Sequence, residues 1–149
     1  MDLSSINPVL LIASLMVSAT PILLAALGEL VVEKSGVLNL GVEGMMLIGA
    51  VTGFAVTSVS GSPLLGVLAA MIAGTLAAMI FGYLTLSLTA NQVATGLALT
   101  IFGIGLSSLV GEGYVGKTVD IFDSIFPAAL AEHSFLRVLF GYSPVVYFS

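Results

Sequence analysis

Three short breaks divide the first 110 residues of this chain into four apolar stretches, each about as long as a helix that crosses a bilayer. The breaks are Glu33-Lys34-Ser35, Ser60-Gly61-Ser62-Pro63 and Thr89-Ala90-Asn91-Gln92. A hydrocarbon core takes roughly 20 apolar residues per helical crossing. Composition closes the other route. Hydrophobic residues make up 58% of the chain and charged ones 7%, where a soluble domain carries about 25% charged. A soluble domain of 149 residues could not bury that much apolar surface. The expected fold is therefore an all-α membrane protein, a bundle of about four transmembrane helices with the start of a fifth. The net charge of −5 argues against a nucleic-acid partner, since a phosphate backbone needs a basic face. Cysteine is absent, which excludes disulfides and thiolate metal sites.

The expected spans run over about 8–32, 37–60, 64–88 and 93–110, as one transmembrane domain. Met1-Asp2-Leu3-Ser4-Ser5 holds an acid and no base, so the N-terminus reads as a retained span and not as a cleaved signal. Pro8 suits a helix start, and Pro21 predicts a kink that neighbouring helices can tolerate. Glu29, near the far end of this span, reads as an interfacial carboxylate reaching water rather than as a transport group.

Polarity concentrates at two helix starts. Ser35-Gly36-Val37-Leu38-Asn39-Leu40-Gly41-Val42-Glu43-Gly44 opens the second span, and its spacing would put Asn39 and Glu43 on one helical face. Polar groups at membrane depth are costly unless they face protein or water. Asn91, Gln92, Thr95 and Thr100 open the fourth span. That span is close to the short limit, so it is either a plainly capped helix or a broken, re-entrant half-helix facing a cavity. Small residues mark the packing faces. Gly49 and Gly53 form a GxxxG pair, and Gly66, Ala70, Gly74, Ala78 and Gly82 recur at strict four-residue intervals on the third span. Such stripes let helices approach closely and supply the packing that hydrophobicity cannot supply in lipid. The alternative is coincidence in an Ala- and Gly-rich sequence.

From Gly111 to Ser143 charges and aromatics return, among them Glu112, Lys117, Asp120, Asp123, Glu132, His133 and Arg137. This is a loop outside the hydrocarbon, with room for an interfacial helix around 127–139. Pro144 to Ser149 reads as the start of a fifth span. Lys34, close to the membrane in a short loop, favours the cytoplasm. That puts the Asn91-Gln92 turn on the cytoplasmic side and the 111–143 loop outside. No enzyme constellation is present in the sequence. There is no phosphate-binding Gly-x-x-x-x-Gly-Lys-Ser/Thr loop, and a single histidine forms neither a metal cluster nor a catalytic triad worth defending. No cofactor is expected.

The run Ser35-Gly36-Val37-Leu38-Asn39-Leu40-Gly41-Val42-Glu43-Gly44-Met45-Met46-Leu47-Ile48-Gly49-Ala50 closely resembles a stretch near the start of permease subunits of bacterial ABC importers. The match is to the nucleoside and simple-sugar branch, which is similar to the ribose and branched-chain amino acid permeases. Ala90-Asn91-Gln92-Val93-Ala94-Thr95-Gly96-Leu97-Ala98-Leu99-Thr100-Ile101-Phe102-Gly103 resembles a second stretch of that family, and Tyr114-Val115-Gly116 resembles the start of its external loop. The resemblance implies a multi-pass subunit of the bacterial inner membrane. It implies a second permease as partner, two ATP-binding cassette ATPase subunits on the cytoplasmic side, and an extracytoplasmic substrate-binding protein. ATP hydrolysis would belong to a separate chain. Permeases of this family are roughly twice as long, and their ATPase-coupling loop follows the next span, so the sequence reads as an N-terminal half.

The expected function is thus the N-terminal portion of an ATP-driven permease for nucleosides or related simple sugars. Asn39, Glu43, Asn91, Gln92 and Thr95 are the candidate pathway or gate residues, with helix–helix hydrogen bonding as their competing role. Alternatives are a non-transporting membrane scaffold or remnant, and a permease for branched-chain amino acids. A secondary transporter fits less well, because no inverted repeat is visible and acids that could couple to ions are scarce.

Overall fold

The computed structural model describes residues 8–119. The expected 111–143 loop from residue 120 onward, its interfacial helix and the start of a fifth span lie outside the described residues. The regular elements among those described are all helical. They are α1 (Pro8–Lys34), α2 (Val42–Ser60), α3 (Pro63–Gly82) and α4 (Gln92–Gly111). One π-helical turn, Tyr83–Ser87, continues α3, and a single 3-10 turn, Glu112–Tyr114, follows α4. Four stretches are long and apolar enough to cross a membrane: Ser14–Lys34, Val42–Ser60, Pro63–Ser87 and Gln92–Tyr114. The chain is a multi-pass membrane protein.

The described residues fall into two compact units, divided between Leu27 and Gly28 of α1. In the first, α1 continues through Pro21 and exposes Leu11, Leu15, Ile22 and Leu24. Thr20 is buried, and its hydroxyl donates to the Met16 carbonyl at 3.0 Å.

In the second unit, α2 and α3 form an antiparallel hairpin. Gly61 makes the reversal in the left-handed region at φ 68°, and its N–H donates to the Thr57 carbonyl at 2.8 Å. Pro63 then opens α3 at a position where a missing N–H costs nothing. The GxxxG pair of α2 faces this partner. A Cβ added at Gly53 would lie 3.1 Å from the Ala70 Cβ and 3.2 Å from the Gly66 carbonyl oxygen, and one at Gly49 would lie 3.4 Å from the Ala70 carbonyl oxygen. Gly66 is tighter still and sits directly on the Thr57 hydroxyl. The contact uses only the first part of the α3 stripe. Ala78 is exposed, and nothing lies within 4 Å of a Cβ added at Gly74 or Gly82.

Helices α2 and α4 run parallel, and their glycines meet in register. Gly41 lies against Gly96, Gly44 against Leu99, Thr100 and Gly103, and Gly111 near Val51. Farther along, Phe54 stands edge-on to Tyr114 with ring centroids 6.2 Å apart, and the Lys117 ammonium lies 4.7 Å from the Tyr114 ring centroid. A small core ties the three helices together. Val37, Ile48, Ala77, Phe81 and Leu99 are buried, with Val32, Met45, Ala73 and Leu106 packed on them. Most other large apolar side chains point outward, as a bundle solvated by lipid tails requires.

Candidate functional site

The end of α1, the start of α2 and the start of α4 converge on one non-helical segment, Val37 to Gly41, which ends in a turn at Leu40 and Gly41. The sequence builds it by stopping α1 early. Gly36, at φ 83°, terminates the helix, and the Ser35 and Gly36 N–H groups donate to the Val32 and Glu33 carbonyls. The backbone then leaves the helix and resumes it only at Val42. Non-helical backbone within a membrane bundle must find hydrogen-bond partners elsewhere, and side chains supply them. The Leu38 N–H donates to Gln92 Oε1 at 2.8 Å. The Asn39 N–H donates to Glu29 Oε1 at 3.3 Å. The Gly41 N–H donates to Asn39 Oδ1 at 2.9 Å, and the Thr100 hydroxyl donates to the Leu40 carbonyl at 3.0 Å. Four side chains from α1, α4 and the segment itself thus hold one short stretch of chain.

This geometry corrects one expectation. Asn39 and Glu43 do not share a helical face, because α2 begins at Val42 and Asn39 precedes it. Asn39 is only 6% exposed. Its oxygen caps Gly41, and its amide nitrogen lies 3.8 Å from the Met45 sulfur. Glu43 is exposed in the first turn of α2. A helix begun at Val37 would bond the Gly41 N–H to the Val37 carbonyl and use the Leu40 carbonyl as well. Here Asn39 Oδ1 takes the first and the Thr100 hydroxyl the second, while Gln92 and Glu29 hold N–H groups that a helix start leaves unpaired in any case.

The start of α4 is an ordinary cap. The exposed Asn91 accepts the Ala94 N–H at 3.0 Å. The helix then runs unbroken for 20 residues, about 30 Å at 1.5 Å per residue. Of the two alternatives for this span, a plainly capped helix or a broken one, the capped helix is the one formed; the irregular stretch lies at the end of α3, in the π turn. Replacing Asn91 by Ala should cost about 1 kcal/mol, read as a lower midpoint in detergent unfolding, and Ser at this position should restore it.

Thr95 is half-buried and differs from its neighbours. The hydroxyls of Thr52, Thr57, Thr75 and Thr85 each donate to the carbonyl four residues back, and that of Thr100 crosses to Leu40. The Thr95 hydroxyl makes no such bond among the described residues. It lines a cavity of about 530 Å³ between the end of α3 and the start of α4, whose walls include Phe81, Leu84, Leu99 and Phe102. Thr95 is the single hydroxyl in an otherwise apolar lining.

Glu29 is assigned by the sequence to the interface, as a carboxylate reaching water. It does not simply reach toward water. One carboxylate oxygen accepts from Asn39, and the other is buried with no hydrogen-bond partner among the described residues. Its position near the far end of an apolar span was visible, but its target, ten residues on across a turn, was not.

The comparisons with known proteins agree with this architecture. The family model described as the permease component of branched-chain amino acid transport systems matches residues 11–146. A Haloferax volcanii protein that carries the name of a glucose ABC transporter permease is 45% identical over 111 residues. That alignment covers 74% of this chain and 34% of the relative, so the chain spans about a third of the length of the curated relative it matches. No solved structure matches. With its family model covering most of the sequence, the chain belongs to the permease-component family of branched-chain amino acid transport systems.

Proposed function

We propose that this chain forms the N-terminal part of the membrane-spanning permease of an ATP-driven importer, and that its cargo is a simple sugar or nucleoside. The observation that carries the cargo class is the 45% identity to a relative named for glucose transport. The chain itself contributes packed helices and a polar junction. The partners follow from the family: a second permease, cassette ATPases that hydrolyse ATP on separate chains, and an extracytoplasmic binding protein that delivers the ligand. Transport would proceed by alternating access, with the helical bundle opening to one side and then to the other.

In this reading Asn39 and Gln92 hold the Val37–Gly41 segment, while Thr95 offers its hydroxyl to the space beside α4. Glu43 and Asn91 are exposed at the same end of the bundle, where they would flank a gate. Branched-chain amino acids are the second reading, favoured by the family description and by the apolar cavity lining.

The test is affinity purification from native membranes in mild detergent, followed by uptake assays with radiolabelled glucose, ribose, adenosine and leucine. Co-purification of an ATPase and a second permease, with uptake of a sugar or nucleoside, is the expected result. Uptake of leucine alone moves the cargo to the second reading. A chain that arrives with no ATPase and supports no uptake removes the transport function.

A further inference from the structure

The end of α3 carries two costly backbone features within seven residues. Tyr83–Ser87 form a π-helical turn, a wide geometry that is rare and usually confined to single turns at functional positions. The Leu88 N–H reaches back five residues to the Tyr83 carbonyl at 3.1 Å, and the Ala90 N–H reaches back six to that of Leu84 at 3.0 Å. Between them Thr89 sits at φ 52°, the single non-glycine residue in the left-handed region among those described. A helix end of this kind normally places glycine there. A β-branched residue at positive φ is strained, and such strain persists only where the surroundings impose it.

The surroundings differ on the two sides of this stretch. The start of α4 is held by the Asn91 cap, by the Gln92–Leu38 bond and by the close approach of Gly96 to Gly41. The α3 end is held chiefly by buried Phe81 and Thr85, the latter through its hydroxyl on the Phe81 carbonyl at 2.8 Å. In front of it lies the cavity of about 530 Å³, with Ile80, Phe81 and Leu84 on one wall and α4 on the other. A wide turn, a strained residue and an adjacent open volume occupy the same place.

We propose that Tyr83–Thr89 is a two-state joint that swings the end of α3 across the cavity in front of α4. In the state described here the turn is π-helical and Thr89 is left-handed. In the other, the turn tightens to α-helix, Thr89 relaxes to negative φ, and the side chains on one side of the turn rotate by about 100°, the step of one residue. Leu84 then moves into the cavity. The joint is a property of the fold, and it holds or fails independently of what the protein transports.

Because the sequence has no cysteine, spin labels can be placed cleanly on the full chain in lipid nanodiscs. A Leu86→Cys/Leu109→Cys pair reports the α3 end against α4, and a Met46→Cys/Leu109→Cys pair reports α2 against α4. All three positions are exposed. The expected result is two distances for the first pair and one for the second. Thr89→Gly, which removes the left-handed penalty, should reduce the second distance population roughly tenfold. A single narrow distance for the first pair, unchanged by Thr89→Gly, overturns the joint. Equal broadening of both pairs overturns it too, since that is looseness of the whole bundle. Uptake is scored separately, so a chain that shows two distances and transports nothing keeps the joint and loses the transport reading.

Discussion

Replacing Gly44 or Gly103 by alanine will force α2 and α4 apart. A Cβ at Gly44 would clash with the Leu99 carbonyl oxygen and lie 2.7 Å from the Thr100 Cα, and one at Gly103 would lie 2.6 Å from the Gly44 Cα. Backbone stands on both sides of the contact, so no side chain can rotate out of the way. Overpacking a well-fitted core costs typically about 1–3 kcal/mol, and with no flexible neighbour the cost here should reach the upper end. In lipid no hydrophobic force pushes the helices back together, because lipid tails accept the exposed surface equally well. Gly74→Ala is the control. Nothing lies within 4 Å of its added Cβ, and alanine is a better helix former than glycine by up to about 1 kcal/mol. Unfolding in mixed detergent micelles should therefore give a much lower midpoint for Gly44→Ala and Gly103→Ala, and an equal or higher one for Gly74→Ala. Equal tolerance of all three would mean that α2 and α4 are not in backbone contact.

That contrast also shows what the sequence can convey. Long apolar runs and Gly, Ser and Pro breaks define the helices well, because span length and turn chemistry are local properties. Helix α3 begins at Pro63 and α4 at Gln92, each directly after such a break. Four-residue spacing identifies a helical face but not the partner that covers it. The α3 stripe is continuous in sequence, yet its close contact with α2 is at Gly66 and Ala70. The Gly44–Gly103 contact joins residues 59 apart, and no periodicity within either helix points to the other. The late start of α2 was hidden for the same reason. The Gly41 N–H and the Leu40 carbonyl, which a helix from Val37 would use, are taken by Asn39 Oδ1 and by Thr100, sixty residues on. The π turn carries no sequence mark at all. Its left-handed residue is a threonine, where turn chemistry would favour glycine.

Asn39→Ala should be among the most damaging substitutions of a polar residue in the chain, and the reason lies in a hydrogen bond with no substitute. Asn39 Oδ1 is the acceptor for the Gly41 N–H, both residues are buried, and the next turn of α2 depends on Gly41, whose carbonyl accepts the Met45 N–H at 3.0 Å. Leaving a buried donor unanswered costs about 1–3 kcal/mol, and at membrane depth water is poorly placed to replace the lost oxygen. Gln92→Ala removes the neighbouring anchor at Leu38. Since both side chains hold the same five-residue segment, the two losses should not add, and a double-mutant cycle should show a coupling of roughly 0.5–3 kcal/mol. The same variants separate packing from recognition. If Asn39 serves the segment, Asn39→Ala lowers the unfolding midpoint and the yield of assembled complex, while the surviving complex keeps its substrate affinity. If Asn39 touches cargo, affinity falls in protein whose unfolding midpoint is unchanged. The geometry favours the first outcome, because the side-chain oxygen is already committed to Gly41 and the amide nitrogen faces Met45.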